Sequence, residues 1–474
     1  MVGIRALSWV IGLLLVLAMN SPSQLAGVPA TSAAGLPATI TVSPKTTYQT
    51  IEGWEAVAQA CQFDCSSFSS YSGALFDQAT SDLGINRVRV EIKTTTATST
   101  TFDLNRFDQT MNLVTVPLRQ RLAAHGENLW VDVVFVGASG FPAQPDQSAY
   151  AQQVLATYQH TRKTYGFVPD SWEILLEPGV VTKNWTSGMI ADAVRRSDAL
   201  LKPNGFTPYF IIPSSPCGAV TALGDFSNIL SANGGTLPPD VKEFSYHRYC
   251  APSATDLRNV AALRSQYRIN TAMLEHGGAT FNELFADLTT ANISAWEQYT
   301  LAYVPGPNYP GYQYYNIASP SSTSFSLDWR AKWLRHVFHY VRAGAVRVDA
   351  SSNSPSVAPV AFVNKDGHPV VVVWTTATGS ASFSIQGLPA GTYGAVYTTG
   401  DTSSNNITAE NVSLPDVTIT SGQSLSETLP DRGVMSIYGK SGGVSPTPTP
   451  TSTSTPGPTP TSSPFEKTLS PIEK

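Results

Sequence analysis

Between Ile51 and Tyr303 the chain repeats one unit: a short, almost wholly apolar run, a polar loop, then a longer stretch with apolar residues at helical spacing. Eight runs predict strands, at 51–57, 86–92, 128–136, 171–177, 207–213, 242–249, 269–275 and 294–303. Near-continuous Val, Ile, Leu and Phe is what a strand buried on both faces requires, and alternation with helices predicts a parallel sheet. Eight units over about 250 residues match a closed (β/α)8 TIM barrel, so the fold class is α/β with residues 50–344 as the barrel. The segment 186–202 predicts a helix, with Met189, Ile190, Ala193, Val194, Leu200 and Leu201 on one face and Gly205 stopping it. A second spans 328–344, where Trp329, Trp333, Leu334, Val337, Phe338 and Val341 recur at helical spacing and read as core.

After Gly344 the period changes to short alternating strands, with a hairpin predicted at Lys365-Asp366-Gly367-His368 and a closing strand at 434–438. This pattern predicts a β-sandwich appended to the barrel. The segment 38–43 is also strand-like and is expected to join it, giving a sandwich domain from 38–49 plus 345–440. Residues 441–474 hold a Ser/Thr/Pro-rich linker and tail with too little apolar surface to pack. At the other end, Arg5 precedes an apolar run at 11–19 and small residues near Ala26 and Ala30, the layout of a signal peptide over residues 1–30. That run is shorter than the roughly 20 residues of a membrane-spanning helix. A retained N-terminal anchor is the alternative, and the expected location is secreted or cell-surface.

Charge narrows the partners. With 13% charged residues and a net charge of −5, the chain has no basic field for nucleic acid or an acidic membrane surface. A neutral, polar partner fits better. The four cysteines, Cys61, Cys65, Cys217 and Cys250, form an even set in a chain read as exported. They are expected to pair as Cys61 with Cys65 and Cys217 with Cys250, because their spacing lacks the paired knuckles of a zinc site.

Barrel active sites form at the C-terminal ends of the strands, so an acid at a strand tip counts for more than one at a strand start. Glu177 and Glu275 end the fourth and seventh predicted strands, followed at once by Pro178 and by His276-Gly277-Gly278. Glu173 lies four residues before Glu177, roughly 13 Å below the rim at about 3.3 Å per residue, and is expected to be structural. Glu52, Glu55, Glu91, Glu243 and Glu297 lie on other strands.

The runs Tyr48-Gln49-Thr50-Ile51-Glu52-Gly53-Trp54, Asn86-Arg87-Val88-Arg89-Val90, Trp172-Glu173-Ile174-Leu175-Leu176-Glu177-Pro178, Ser245-Tyr246-His247-Arg248-Tyr249 and Leu274-Glu275-His276-Gly277-Gly278 carry a resemblance. In this order they resemble glycoside hydrolase clan A, and within it family 30, in which a β-sandwich built from both chain ends flanks the barrel. The likeness covers residues 38 to 440. It implies a secreted retaining glycosidase of β-linked polysaccharides or glycosides, with Glu177 as general acid/base and Glu275 as nucleophile. It further implies that Arg89 keeps the nucleophile ionised, that His247 or Tyr249 orients it, and that Trp296 and Trp54 supply aromatic faces for sugar. The mechanism requires no cofactor and no metal, and the expected protein is a monomer whose partner is a carbohydrate substrate.

One position departs from that pattern. Clan members usually have asparagine just before the acid/base, where it bonds the sugar 2-hydroxyl, and here that position is Leu176. A sugar substituted at that position, a replacement contact from Asn184 or another loop residue, or a non-catalytic carbohydrate-binding protein on the same scaffold are the readings this leaves open.

Overall fold

The structure is a computed structural model that describes residues 37–96, 99–137, 146–306 and 311–440. The expected signal peptide and the Ser/Thr/Pro-rich tail lie outside the described residues. The chain enters through β1 (Ala38–Thr50) and then builds the barrel from β2 (Gly53–Ala60), α1 (Phe68–Gln78), β3 (Arg87–Ile92), α2 (Leu104–Thr110), α3 (Val116–Ala124), β4 (Trp130–Phe135), α4 (Gln147–Tyr165) and β5 (Ser171–Glu173). It continues with α5 (Ser187–Leu201), β6 (Phe210–Ser215), α6 (Gly218–Ala232), β7 (Val241–His247), α7 (Ala254–Tyr267), β8 (Asn270–Glu275), α8 (Phe281–Ala286) and β9 (Ala295–Tyr303).

Strands β2 to β9 pair in parallel, and pairing of β9 with both β8 and β2 closes the ring. All eight predicted strands are present. The fourth is shorter than predicted: regular pairing in β5 stops at Glu173, and residues 174–177 follow an irregular path, held by single bonds from Ile174 to Ile211, Leu176 to Phe135 and Glu177 to Ser214. Helix α5 begins at Ser187, capped by Thr186, the first residue of the predicted segment, whose hydroxyl accepts from the Met189 N–H; the helix buries Ile190, Ala193, Val194 and Leu201.

Two strands escaped the sequence pattern. After β9 the chain adds β10 (Gln313–Ile317) and β11 (Phe325–Leu327), a hairpin that extends the barrel sheet beside β9. Its register is informative. In regular pairing β9 meets β8 at Ala295 and Trp296, with one further bond from the His276 N–H to the Gln298 carbonyl, and then pairs with β10 from Thr300 to Tyr303, so β8 and β9 part beyond Gln298 and β10 runs along the freed edge.

Helix α9 (Trp329–Phe338) then leads into β12 (Val346–Ser352), β13 (Val357–Val363), β14 (Pro369–Thr375), β15 (Ala381–Gln386), β16 (Gly391–Gly400), β17 (Ile407–Ile419), β18 (Leu425–Leu429) and β19 (Gly433–Gly439). The helix is shorter than the predicted 328–344. Strand β1 lies between β12 and β15 in this second sheet. Both ends of the sheet feed one core that includes Ile40, Val371, Phe383, Tyr393, Leu425 and Ile437, so the sheet folds over on itself as a sandwich. Strand β14 alternates: Val371 and Val373 enter that core, while Val370 and Val372 join the barrel's. Its unbroken valine run is therefore the signature of a strand buried on both faces.

His336 of α9 ties the two layers together, its Nδ1 2.9 Å from Ser436 Oγ and its Nε2 2.7 Å from Thr398 Oγ1. Burial, assisted by Arg335 and His339, pushes its pKa from 6.5 down to about 3. It is neutral in the folded protein and takes up a proton below about 6.5 when unfolded, so its stabilisation is complete above that pH and fades as pH falls toward 3. The slope is about 1.4 kcal/mol per pH unit. Urea titrations across this window are expected to show a steeper acid loss for the wild type than for His336→Gln; parallel curves would contradict it.

Candidate active site

Inward-facing side chains stack the barrel interior in charged layers. In the lower one, Arg87 of β3 meets Glu55 of β2 at 2.7 Å and Glu243 of β7 at 2.8 Å. Two residues on, and so on the same face, Arg89 meets Glu297 of β9 at 2.9 Å, Glu275 at 2.6 Å and Glu173 at 3.6 Å. Together with Asp132, six buried acids face these two arginines. The imbalance shows in proton affinity: burial pushes Glu55 up to about 7, despite Arg87 and Arg89, and raises Asp132 and Glu297 well above the usual carboxylate range. Glu173 sits within this interior, consistent with its expected structural role.

Glu275 ends β8 with both oxygens occupied. Arg89 Nη2 donates to Oε2 at 2.6 Å, and the Tyr249 hydroxyl donates to Oε1 at 2.8 Å. Burial alone raises its pKa, but His247, Arg89 and the Tyr249 hydrogen bond together outweigh it and leave the carboxyl below the usual 4.5. It is therefore held as the anion. Glu177 faces it from the irregular segment beyond β5. Its backbone is left-handed, with φ +46°, a conformation that costs a non-glycine residue about 1–3 kcal/mol and collects at functional sites. Its Oε1 lies 2.8 Å from Nδ1 of the fully buried His247 at the end of β7. One oxygen of each carboxylate and a ring nitrogen of His247 lie within 4.8 Å of one another. The structure thus brings together Glu177, Glu275, Arg89, His247 and Tyr249, with Tyr249 on Glu275 and His247 bonded to Glu177.

The two tryptophans are elsewhere. Trp54 and Trp296 are the second residues of β2 and β9, paired with each other in register at the start of the strands, and both are fully buried. Trp54 stacks on Phe338 of α9 at 4.5 Å and donates its ring N–H to the Val341 carbonyl. Trp296 donates to Asp287 and also packs on Phe338. The expectation that they face sugar is corrected: the next residue on each strand, Glu55 or Glu297, points into the barrel, so the tryptophans point out of it.

Aromatic faces at the mouth come instead from tyrosines. A cleft of about 590 Å³ is lined by Glu177, Glu275, Tyr249, Tyr299, Tyr303 and Tyr312, among others. Tyr299 and Tyr303 were inside the predicted eighth strand and Tyr312 just beyond it. A run of tyrosines from 299 to 315 was the available signal. Tyr312 arrives on the chain leading into β10, its ring 6.4 Å from that of Tyr249 and 5.7 Å from that of Tyr299. It lies so close over Gly277 that a Cβ there would sit 2.4 Å from the ring. Gly277→Ala is expected to displace Tyr312, cost about 1–3 kcal/mol by overpacking and raise KM for any ligand of this cleft. An unchanged KM would remove Tyr312 from the binding surface.

Leu176 is buried beside Val134 and Val136, with Val181 packed on them, so the wall next to Glu177 is apolar. Asn184 is exposed and lies outside the cleft lining, whereas the amide of Gln59 is within it. Both expected disulfides are present, Cys61 with Cys65 and Cys217 with Cys250, at Cα separations of 5.3 and 4.6 Å. No helix among the described residues is long and apolar enough to cross a membrane.

Residues 344–436 match the model of the glycosyl hydrolase family 30 β-sandwich domain. No curated protein sequence matches the chain. Among solved structures, the catalytic domain of the family 30 xylanase C from Talaromyces cellulolyticus superposes with a TM-score of 0.64 at 17% identity, over 85% of this chain and 100% of that one. A family 30 endoxylanase from Clostridium papyrosolvens gives 0.61 at 16% identity, covering 85% and 99%. An endo-β-1,6-glucanase gives 0.61 at 15% identity, covering 84% and 94%. Residues 344–436 therefore match the family 30 β-sandwich model, and the chain shares the barrel-plus-sandwich fold of these solved structures.

Proposed function

We propose that this protein is a secreted, retaining glycoside hydrolase acting on β-linked glycans. The observation that carries the reading is the approach of the two carboxylates at the barrel mouth, with oxygens within 4.8 Å. A separation of about 5 to 5.5 Å between carboxyl groups suits direct attack by one of them, whereas an inverting enzyme needs roughly 6.5–9.5 Å to admit a water. Glu275, anionic and fixed by Arg89 and Tyr249, attacks the anomeric carbon while the bond to the leaving oxygen breaks. Glu177 gives that oxygen its proton, then takes a proton from the water that releases the sugar from Glu275. His247, hydrogen-bonded to Glu177, orients the acid and neighbours the charge that shifts between the two steps. The tyrosines offer rings on which apolar sugar faces stack. The similar structures include an endoxylanase and an endo-β-1,6-glucanase, which makes xylose- and glucose-based β-glycans the first substrates to try.

The apolar setting of Leu176 favours one other reading, a protein that binds glycans without cleaving them. Incubation with aryl β-xylosides and β-glucosides and with both polysaccharides separates the two, and proton NMR reads the anomer first released. The expected result is product with retained β configuration. Glycan binding without product would leave the binding protein, and an initial α anomer would remove the double-displacement mechanism.

A further inference from the structure

A second cavity, of about 200 Å³, opens beside the catalytic cleft and shares Gln59 and Tyr303 with it. Its walls come from the loops after β2 and β3. The first loop is the five-residue turn closed by the Cys61–Cys65 disulfide, which presents Phe63 and Asp64. The second supplies Lys93 and Asp103, and the first turn of α2 adds Arg106. Glu91 is the key residue of the floor, because on β3 it follows Arg87 and Arg89 on the same inward face, about 7 Å beyond the residue that holds Glu275. Tyr299, in the lining of the cleft, lies in the field of both acids: burial first, then Glu91 and Glu275, raise its hydroxyl well above the usual tyrosine range.

The chemistry of the lining selects its occupant. The cations are engaged: Lys93 pairs with Glu91 at 3.1 Å, and the Arg106 guanidinium lies over the Phe63 ring. Asp103 caps α2 through the Arg106 N–H, and Asp64 accepts from the Tyr303 hydroxyl at 2.9 Å. Carboxylates outnumber cations by three to two, so an anionic ligand gains nothing here, while sugar hydroxyls find acceptors on Glu91 and Asp64. We propose that this cavity is a distal subsite for a neutral sugar unit of the same glycan whose scissile bond lies between Glu177 and Glu275. The inference rests on the glycosidase reading for the orientation of the chain, and makes the protein selective for oligomers over simple glycosides.

The test uses the full chain carrying Glu275→Gln, so that ligands survive, and calorimetry with neutral β-1,4-xylo-oligosaccharides and β-1,6-gluco-oligosaccharides of increasing length. For one series, affinity is expected to keep rising once the ligand outgrows the catalytic cleft. Adding Glu91→Gln is expected to weaken the long ligands about tenfold more than the short ones, the scale of a lost hydrogen bond to a charged group. Asp64→Asn, at the exposed end of the cavity, gives the same comparison if Glu91→Gln fails to fold. Equal losses on short and long ligands, no gain with length, no binding in either series, or tighter binding of an oligosaccharide bearing a uronic acid would each overturn the proposal. If the wild type cleaves none of these glycans yet the length dependence and its loss in the variants persist, the subsite stands and the catalytic reading fails.

Discussion

Replacing Glu275 by glutamine is expected to lower kcat on every glycoside substrate by roughly 10⁴-fold or more, at or beyond the upper end of what a single positioned acid–base group contributes. The amide preserves shape but cannot bond covalently to the anomeric carbon. Replacing Glu177 by alanine should behave differently. Its proton matters only when the leaving oxygen is basic, so the loss is expected to be about 10²–10⁴-fold on a polysaccharide and far smaller in the glycosylation step for a dinitrophenyl glycoside. Steady-state kinetics on both substrate types, with a burst of dinitrophenol marking slow release of the covalent intermediate, check the assignment. Equal losses for Glu177→Ala on good and poor leaving groups would remove the acid role from Glu177.

The second large effect concerns Arg89, which is buried and contacts Glu275, Glu297 and Glu173. Arg89→Met leaves those acids without their cation, and breaking a buried pair from one side costs about 3–5 kcal/mol. Urea unfolding at neutral pH measures it. Activity should change in a specific direction as well. Burial pushes Glu275 upward, and His247, Arg89 and Tyr249 hold it below 4.5. Because its folded pKa is depressed, its ionisation stabilises the fold above the unfolded value and that contribution is lost as pH falls through the folded one. Without Arg89 the carboxyl moves up, so the acid limb of kcat/KM should shift to higher pH. A limb that stays in place while stability falls would make Arg89 a structural ion only.

Much of this protein was legible in its sequence because burial leaves a mark on composition. Parallel barrel strands are covered on both faces, so their apolar runs stood out, and the order of strands and helices then fixed the barrel. The motifs around Glu177 and Glu275 were readable for a related reason, since both follow such runs closely. Where the sequence misled, the cause was geometric. Trp54 and Trp296 lie on the right strands, but the two-residue alternation of a strand sends them outward and at the wrong end, and a list of strand residues does not state that parity. Glu177 was expected at a strand tip, whereas its segment leaves regular pairing after Glu173 and turns through a left-handed residue.

The parting of β8 from β9 had no local signature, because β10 is recruited by an unpaired edge that exists only once the ring has closed. That edge carries Tyr312 over Gly277 and sets the aromatic wall. Sequence by itself determined the layers, the disulfide partners and the acids that could matter. Only the tertiary structure decided which charges share one space: Arg89 gains three carboxylate neighbours from β5, β8 and β9, and the resulting balance of burial against Coulomb attraction is a property of the closed barrel and of no single segment.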